Sequence, residues 1–165
     1  MSEFKTSFIL SKCELQFLLY NRPDVIPSAA SQYLLKQYLT NGEITQDAIE
    51  GLAYKNLIRV SDGTVFFEPV VNVLAKAALS ADTIWIAKRK KDIKLVFILR
   101  TRELCLFSEL YPRIPDSWKI VPYQTLEALK NDIDMRSVGE IIEVTNTGTP
   151  RVLSDDEVQS WQRGE

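Results

Sequence analysis

The sequence predicts an α+β fold, in which a winged-helix-like helical subdomain is followed by an antiparallel β-meander with flanking helices. Two features of the sequence support this prediction. Apolar residues recur at helical spacing through the first third of the chain. From Leu57 onward they occur instead in short, β-prone runs that turn residues separate.

The first third of the chain predicts three helices. Ser11 and Glu14 have the spacing of a capping box, which starts the first helix, and the turn residues Asn21–Asp24 end it. The second helix ends at Asn41-Gly42, because glycine suits the left-handed position after a helix. Thr45 is the predicted N-cap of the third helix.

A β-hairpin and a fourth helix complete the winged-helix-like part, which we assign to residues 8–80. Asp62-Gly63 lies between two β-prone runs and predicts a tight hairpin turn. Glu68-Pro69 begins the next helix, since proline suits the first helical turn. The predicted buried stripe of this helix comprises Val70, Val71, Leu74, Ala77 and Ala78.

Residues 83–145 predict an antiparallel β-meander. A fourth strand at Trp118–Tyr123 follows the first three, and then come a short helix from Thr125 and an apolar segment around residues 141–144. The strands are apolar on both sides, whereas a strand with one face in water alternates apolar and polar residues. Helices can cover one face and the carboxy-terminal segments the other; an uncovered face would be a docking surface. The first three strands are Thr83–Lys88, Ile93–Arg100 and Leu104–Leu110.

The length of 165 residues fits one domain, and we assign residues 1–145 to it. Residues 146–165 are polar and predict a C-terminal tail, in which Ser154–Glu157 can start a short helix. No apolar run is long enough to span a bilayer, and no secretory signal is recognisable. We therefore expect a cytoplasmic protein without membrane insertion, in which Cys13 and Cys105 are buried thiols rather than a disulfide.

The residue types that common enzyme and metal sites need are missing. The chain contains no histidine, which is the commonest general base and zinc ligand. Two distant cysteines cannot form a structural zinc site, and no glycine-rich phosphate-binding pattern is present. Two acidic groups, Asp132 with Asp134 and Asp155–Glu157, are interpreted as solvated helix ends. The sequence therefore predicts a non-enzymatic protein without catalytic, cofactor-binding or metal-binding residues.

The winged-helix-like part raises the question of DNA binding, but its charges disfavour it. The third helix, which would enter the major groove, carries Asp47 and Glu50, and the tip of the wing carries Asp62. Residues 1–80 contain seven basic and eight acidic side chains, and the whole chain has a net charge of -2. Nucleic acid is therefore not an expected partner.

A protein partner is the remaining expectation, and four aromatic side chains of the strand region are its candidate anchors. The competing interpretation places them in the core. The densest basic run lies between the first two strands; it predicts either a contact with an acidic partner or a solvated hairpin turn. The aromatic candidates are Trp85, Phe107, Tyr111 and Trp118, and the basic run comprises Lys88, Arg89, Lys90 and Lys91.

Four features follow one another between residues 48 and 89: Gly51-Leu52, the Asp62-Gly63 wing, a helix rich in Leu and Ala, and Trp85-Ile86-Ala87. This order resembles the N-terminal region of the EspG-type chaperones of type VII (ESX) secretion. The resemblance implies a cytosolic adaptor that binds secretion substrates, often pairs of helices, and keeps them soluble. The chain has room for about one of that family's two α/β halves, and a homodimer that restores the second half is a hypothesis.

The leading functional expectation is therefore a non-enzymatic cytosolic chaperone or adaptor that binds a protein partner. The alternative is a winged-helix DNA-binding transcription regulator, whose sheet dimerises or senses a ligand. The two hypotheses differ in the macromolecule that the chain binds, which is a helical protein in the first and DNA in the second.

Overall fold

The computed structural model describes residues 7–20, 22, 24–40, 46–91, 94–114 and 116–165. Within these ranges the chain forms six helices and nine strands, and the predicted α+β class is confirmed. In chain order they are β1 (Phe8–Ser11), α1 (Lys12–Tyr20), α2 (Ala29–Tyr38), α3 (Gln46–Tyr54), β2 (Ile58–Ser61), β3 (Thr64–Phe67), α4 (Pro69–Leu79), β4 (Thr83–Arg89), β5 (Leu95–Arg100), β6 (Cys105–Leu110), β7 (Ser117–Tyr123), α5 (Leu126–Asp132), β8 (Val138–Val144), β9 (Pro150–Val152) and α6 (Asp155–Gln162).

Seven of these strands form one antiparallel sheet in the order β1-β7-β6-β5-β4-β8-β9. The predicted meander is confirmed as β4, β5, β6 and β7, which pair in sequence. Three pairings were not predicted, and one of them joins β8 to β9. The strand β1 lies against β7, with Leu10 opposite Trp118, and β8 lies against β4, with Ile142 opposite Ile86. The predicted meander is therefore extended on both sides.

The two faces of this sheet are covered by different parts of the chain. Helices α1 to α4 and the hairpin β2–β3 pack on one face, where Ile84 of β4 and Phe97 of β5 are buried. Helices α5 and α6 pack on the other face, where Trp85 and Ile98 are buried. Consecutive residues of β4 and β5 therefore enter two separate cores, as their uninterrupted apolar sequence predicts.

Residues 146–165 were predicted as a polar tail with a possible short helix. The helix is confirmed as α6, but the segment is not a separate tail, because it is built into the sheet and its cover. Strand β9 pairs with β8, and α6 starts with a capping box in which Ser154 and Glu157 satisfy each other's backbone. The ring centroids of Trp161 in α6 and Trp85 in β4 lie 5.1 Å apart. Only Val158 and Trp161 of α6 are buried, so a narrow apolar stripe was hidden in a polar composition.

The hairpin β2–β3 forms a separate two-stranded sheet, as predicted for the wing. Asp62 and Gly63 at its tip both have positive φ, as the favoured two-residue hairpin turns require. In the following helix, Val71 and Ala77 are buried as predicted, whereas Val70 is 47% exposed. Some predicted caps and turns lie outside the described residues, namely those at Asn21, Pro23, Asn41, Gly42, Thr45, Asp92, Ile93 and Pro115.

A buried carboxylate connects the sheet edge to the helical part. The capping box of α1 is confirmed, since the Ser11 amide donates to Glu14 Oε1 (2.8 Å) and the Glu14 amide donates to Ser11 Oγ (3.2 Å). The Glu14 side chain also accepts from Lys55 Nζ at 2.5 Å, although Glu14 is only 3% exposed. Lys55 Nζ in addition donates to the Ile9 carbonyl of β1 (2.9 Å). One ion pair thus joins β1, α1 and the end of α3.

Gly51 makes room for this ion pair. A Cβ atom at position 51 would lie 2.4 Å from Glu14 Oε2, which is far inside van der Waals contact. The carboxylate cannot yield cheaply, because it is held by the Ser11 amide and by Lys55. The predicted Gly51-Leu52 feature therefore has a packing reason: Leu52 is fully buried, and Gly51 lets α3 approach α1.

We expect Lys55→Met to lower the free energy of unfolding by about 2–3 kcal/mol, because it leaves the Glu14 carboxylate buried without its counter-ion. The loss stays below that of a fully buried pair, since the Lys55 side chain is about one third exposed. Urea denaturation measures it. Lys36→Met is the control, since Lys36 is exposed on α2 and should change stability by less than about 0.5 kcal/mol. Equal effects of the two substitutions would contradict the assigned role.

We expect Trp161→Ala to lower the free energy of unfolding by about 3–5 kcal/mol, because it removes a buried aromatic side chain from the core that contains Trp85. The control is Gln159→Ala on the exposed side of the same helix. Thermal and urea unfolding of the two variants give the comparison. A loss below about 1 kcal/mol for Trp161→Ala would mean that α6 is not part of the folded core.

Candidate functional site

An open groove lies on the sheet face that α5 and α6 cover, next to the C-terminal end of α5. We call it the β6–β7 groove. It has a volume of about 740 Å³ and lies between the strands β6 and β7 and the segment that follows α5. Its lining is contributed by Ser7, Arg89, Phe107, Glu109, Leu110, Tyr111, Pro112, Lys119, Val121, Tyr123, Asp132, Ile133 and Asp134.

The floor of the groove is apolar. Phe107 of β6 lies directly opposite Val121 of β7, and both belong to the face of the sheet that α5 covers. Phe107 is only 4% exposed, because the second core packs around it. Towards the open end of the same two strands the pair changes to Glu109 opposite Lys119. The floor is therefore an apolar strip that ends in two charged side chains.

Arg89 forms one wall of the groove and is held by four hydrogen bonds. Its Nε donates to Glu109 Oε1 at 2.6 Å, and its Nη2 donates to Glu109 Oε2 at 3.5 Å. Its Nη1 donates to the Asp134 carbonyl (2.9 Å) and to Ser137 Oγ (2.7 Å). The register between β4 and β8 shifts at Lys88/Arg89, and such an irregularity re-aims a side chain at the end of a strand. Arg89 thus bridges from β4 to β6 and to the segment after α5.

The rest of the lining includes a tyrosine and two carboxylates. The Tyr123 hydroxyl donates to Asp132 Oδ2 at 2.5 Å. The Arg136 side chain and amide both donate to Asp134, and these bonds lower the pKa of Asp134 from 3.8 to about 2. Asp134 is therefore ionised at neutral pH. Lys119 is exposed and has no ion-pair partner among the described residues.

The structure brings together three of the eight predicted partner-binding residues. Arg89, Phe107 and Tyr111 line the groove. Tyr111 is half-buried, whereas Phe107 is 4% exposed, so its prediction as a surface anchor was wrong and its competing interpretation as core is correct. Arg89 was predicted as part of a basic turn, but its side chain is hydrogen-bonded within the wall of the groove. The rest of that run, Lys88, Lys90 and Lys91, is exposed outside the groove lining.

The two predicted tryptophan anchors lie elsewhere. Trp85 is 5% exposed and its indole donates to Glu143 Oε2 (2.8 Å), so its prediction as a surface anchor was wrong and its competing interpretation as core is correct. Trp118 is half-buried on the other face of the sheet, where its ring centroid lies 5.1 Å from that of Phe97. The two side chains project to opposite faces of one sheet and cannot share a site.

Sequence reasoning missed the charged members of the groove. Glu109 and Lys119 were treated as ordinary strand residues, and Asp132 and Asp134 as a solvated helix end. The available signal was the position of Glu109 in an apolar strand, since it has the same alternation as Cys105 and Phe107 and therefore the same face. The ion pair between Glu109 and Arg89 could not be inferred from the sequence, because β5 lies between the strands that carry the two residues.

The described residues include no group of three or more Cys, Asp or Glu side chains placed to hold a metal ion. Cys13 and Cys105 are free thiols, as predicted, but only Cys105 is buried, whereas Cys13 is half-buried. Burial raises the pKa of the Cys105 thiol. None of the described helices is long and apolar enough to cross a bilayer. The groove offers a binding partner an apolar floor that is bordered by charged side chains.

Comparison with known proteins adds no assignment. The sequence matches no known protein-family model, and no similar protein is found among curated proteins. The resemblance to EspG-type chaperones therefore stays a prediction from the order of sequence features.

We expect Arg89→Met to lower the free energy of unfolding by about 2 kcal/mol, because Glu109 and the Asp134 carbonyl lose their shared donor at a side chain that is only 15% exposed. Arg102→Met, at an exposed arginine of the β5–β6 turn, is the control and should be nearly neutral. Urea unfolding gives both values. If Arg89→Met proves as neutral as its control, the wall of the groove is not held by this side chain.

Proposed function

We propose that this chain is a non-enzymatic chaperone or adaptor that binds a protein partner in the β6–β7 groove. The observation that carries the proposal is an apolar floor, Phe107 and Val121, enclosed by charged and hydroxyl-bearing walls. Protein interfaces have this composition, with an apolar centre and a polar rim. A half-buried tyrosine, Tyr111, stands at the edge of the floor, and tyrosine is one of the residues that contribute most to interface energy.

Docking of side chains into the groove is favoured over the addition of a strand to the sheet. At the β1 edge, the Ile9 carbonyl is bonded to Lys55 and the Ser11 amide to Glu14. At the β9 edge, the strand has only three residues, and it begins with Pro150. Short edges with occupied backbone groups resist pairing with another chain.

The resemblance to EspG-type chaperones suggests a helical secretion substrate as the partner and a cytosolic site of action. A second copy of the chain is the other occupant to test, since a homodimer would supply the half that the resemblance leaves out. The mass of the purified protein in solution decides this point: a monomer at high concentration excludes the homodimer.

The alternative function is a winged-helix DNA-binding regulator, and the helical part with its hairpin supports it. The helix that would read the major groove exposes Asp47 and Glu50, and the hairpin tip exposes Asp62. These carboxylates would face phosphates, so we rank this function second. Salt-dependent binding to a DNA duplex would reverse the ranking.

The proposal is tested by capturing partners from the source cell, purifying the captured protein and measuring its affinity by calorimetry. We expect Tyr111→Ser to weaken binding about tenfold, because it removes an aromatic contact at the edge of the floor. We expect Lys119→Glu to weaken it at least about fivefold, because it reverses an unpaired charge of the lining.

The matched control is Lys36→Glu, which makes the same charge change at an exposed residue of α2, on the opposite face of the sheet. It should leave the affinity within about twofold of the wild type. Circular dichroism confirms that each variant is folded. A captured protein that binds both groove variants as tightly as the wild type would refute the groove as the docking site.

A further inference from the structure

Exposed apolar side chains are concentrated around the hairpin β2–β3. The described residues have eight large apolar side chains that are exposed, and five of them lie between residues 54 and 73. Tyr54 at the end of α3 is 88% exposed, and the other four lie in the hairpin or in the first two turns of α4. Val60 lies opposite Val65 and therefore shares the hairpin face of Phe67, whereas Phe66 lies on the other face. We call the remaining four residues the wing surface: Tyr54, Phe66, Val70 and Val73.

The fold of the hairpin and of α4 leaves these side chains without an internal contact to cover them. Helix α4 buries Val71, Ala75 and Leu79, which recur every four residues, so Val70 and Val73 project away from the core. Neighbouring residues of β3 likewise project to opposite sides of the hairpin. Phe67 packs near Phe17, with 6.2 Å between ring centroids, whereas Phe66 projects to the other side of the hairpin.

Between residues 47 and 76, the charges without an ion-pair partner among the described residues are four carboxylates and Arg59, so their sum is negative. Four exposed carboxylates lie between residues 47 and 68, and none has an ion-pair partner among the described residues: Asp47, Glu50, Asp62 and Glu68. Two of the nearby cations have a carboxylate partner, whereas Arg59 lies over an aromatic ring and keeps its positive charge. Lys55 is bonded to Glu14, Lys76 lies 3.7 Å from Asp24, and the Arg59 guanidinium lies 5.1 Å from the centre of the Phe66 ring.

We infer that the wing surface is a second docking site, whose occupant is a basic amphipathic helix of another protein. Its apolar side packs on Phe66, Val70 and Val73, and its lysine or arginine side chains face the four carboxylates. The same carboxylates repel the phosphates of nucleic acid, which separates this site from a DNA-reading wing. The exposed aromatic and apolar side chains supply the contact area, and the carboxylates favour a positively charged partner.

This site is independent of the β6–β7 groove. The helical part packs on one face of the seven-stranded sheet, and the groove opens on the other. The two surfaces can therefore be occupied at the same time, and a chain with both would connect two proteins. Failure of one site in an experiment leaves the other untouched.

The test uses fluorescence anisotropy at physiological salt with a synthetic peptide of leucine and lysine, about 18 residues or five helical turns long. A peptide with glutamate in place of lysine and a short DNA duplex are the comparison probes. We expect the lysine peptide alone to bind. We expect Glu50→Lys with Asp62→Lys, and separately Phe66→Gln, to weaken its binding at least about tenfold.

The control is Glu127→Lys with Asp156→Lys, which makes the same change in net charge at exposed residues of α5 and α6. It should bind the lysine peptide within about twofold of the wild type. An equal loss in the control would mean that the peptide responds to net charge alone, and the inference would be overturned. Binding of the glutamate peptide or of the DNA duplex, or no binding of the lysine peptide below about 100 µM, would overturn it as well.

Discussion

The need to cover both faces of β4 and β5 determines how the rest of this chain is arranged. Side chains of β4 alternate between two cores, with Ile84 and Ile86 in one and Trp85 and Ala87 in the other. A sheet of this kind is unstable with one face in water, because each uncovered strand would expose half of its apolar side chains. The N-terminal helices supply one layer, and α5 and α6 supply the second. The polar C-terminal segment is therefore structural, since its Trp161 closes the core over Trp85.

The β6–β7 groove is located where this cover ends. Helix α5 has seven residues and covers Phe107, but the strands continue beyond it to Glu109 and Lys119. Charged side chains at these positions keep the end of the sheet hydrated, and Arg89 links three separate segments across it. The groove thus follows from a mismatch between the length of the strands and the length of the helix that covers them. Its apolar floor and charged walls are the features on which the proposed adaptor function rests.

The Glu14–Lys55 pair performs a different task, because it fixes the helical part on the edge of the sheet. The carboxylate contacts the end of β1 and Lys55 at the end of α3, and Gly51 leaves the space for it. With α3 held in this way, the hairpin β2–β3 that follows forms its own small sheet outside the main one. The apolar residues exposed on it do not contribute to the core.

Sequence patterns were sufficient to predict the α+β class, the four central strands, the hairpin at Asp62-Gly63 and the capping box of α1. Each of these features depends on residues that are near one another in the chain. Which apolar residues are buried by neighbouring elements is known only from the tertiary structure. Periodicity placed Val70 in the buried stripe and left Trp85 open to either interpretation, since it cannot tell which neighbours a face will meet. The pairing of β1 with β7, the docking of α6 and the contact of Arg89 with Glu109 all join distant segments. Such contacts depend on how whole layers pack against each other, and local sequence patterns do not predict them.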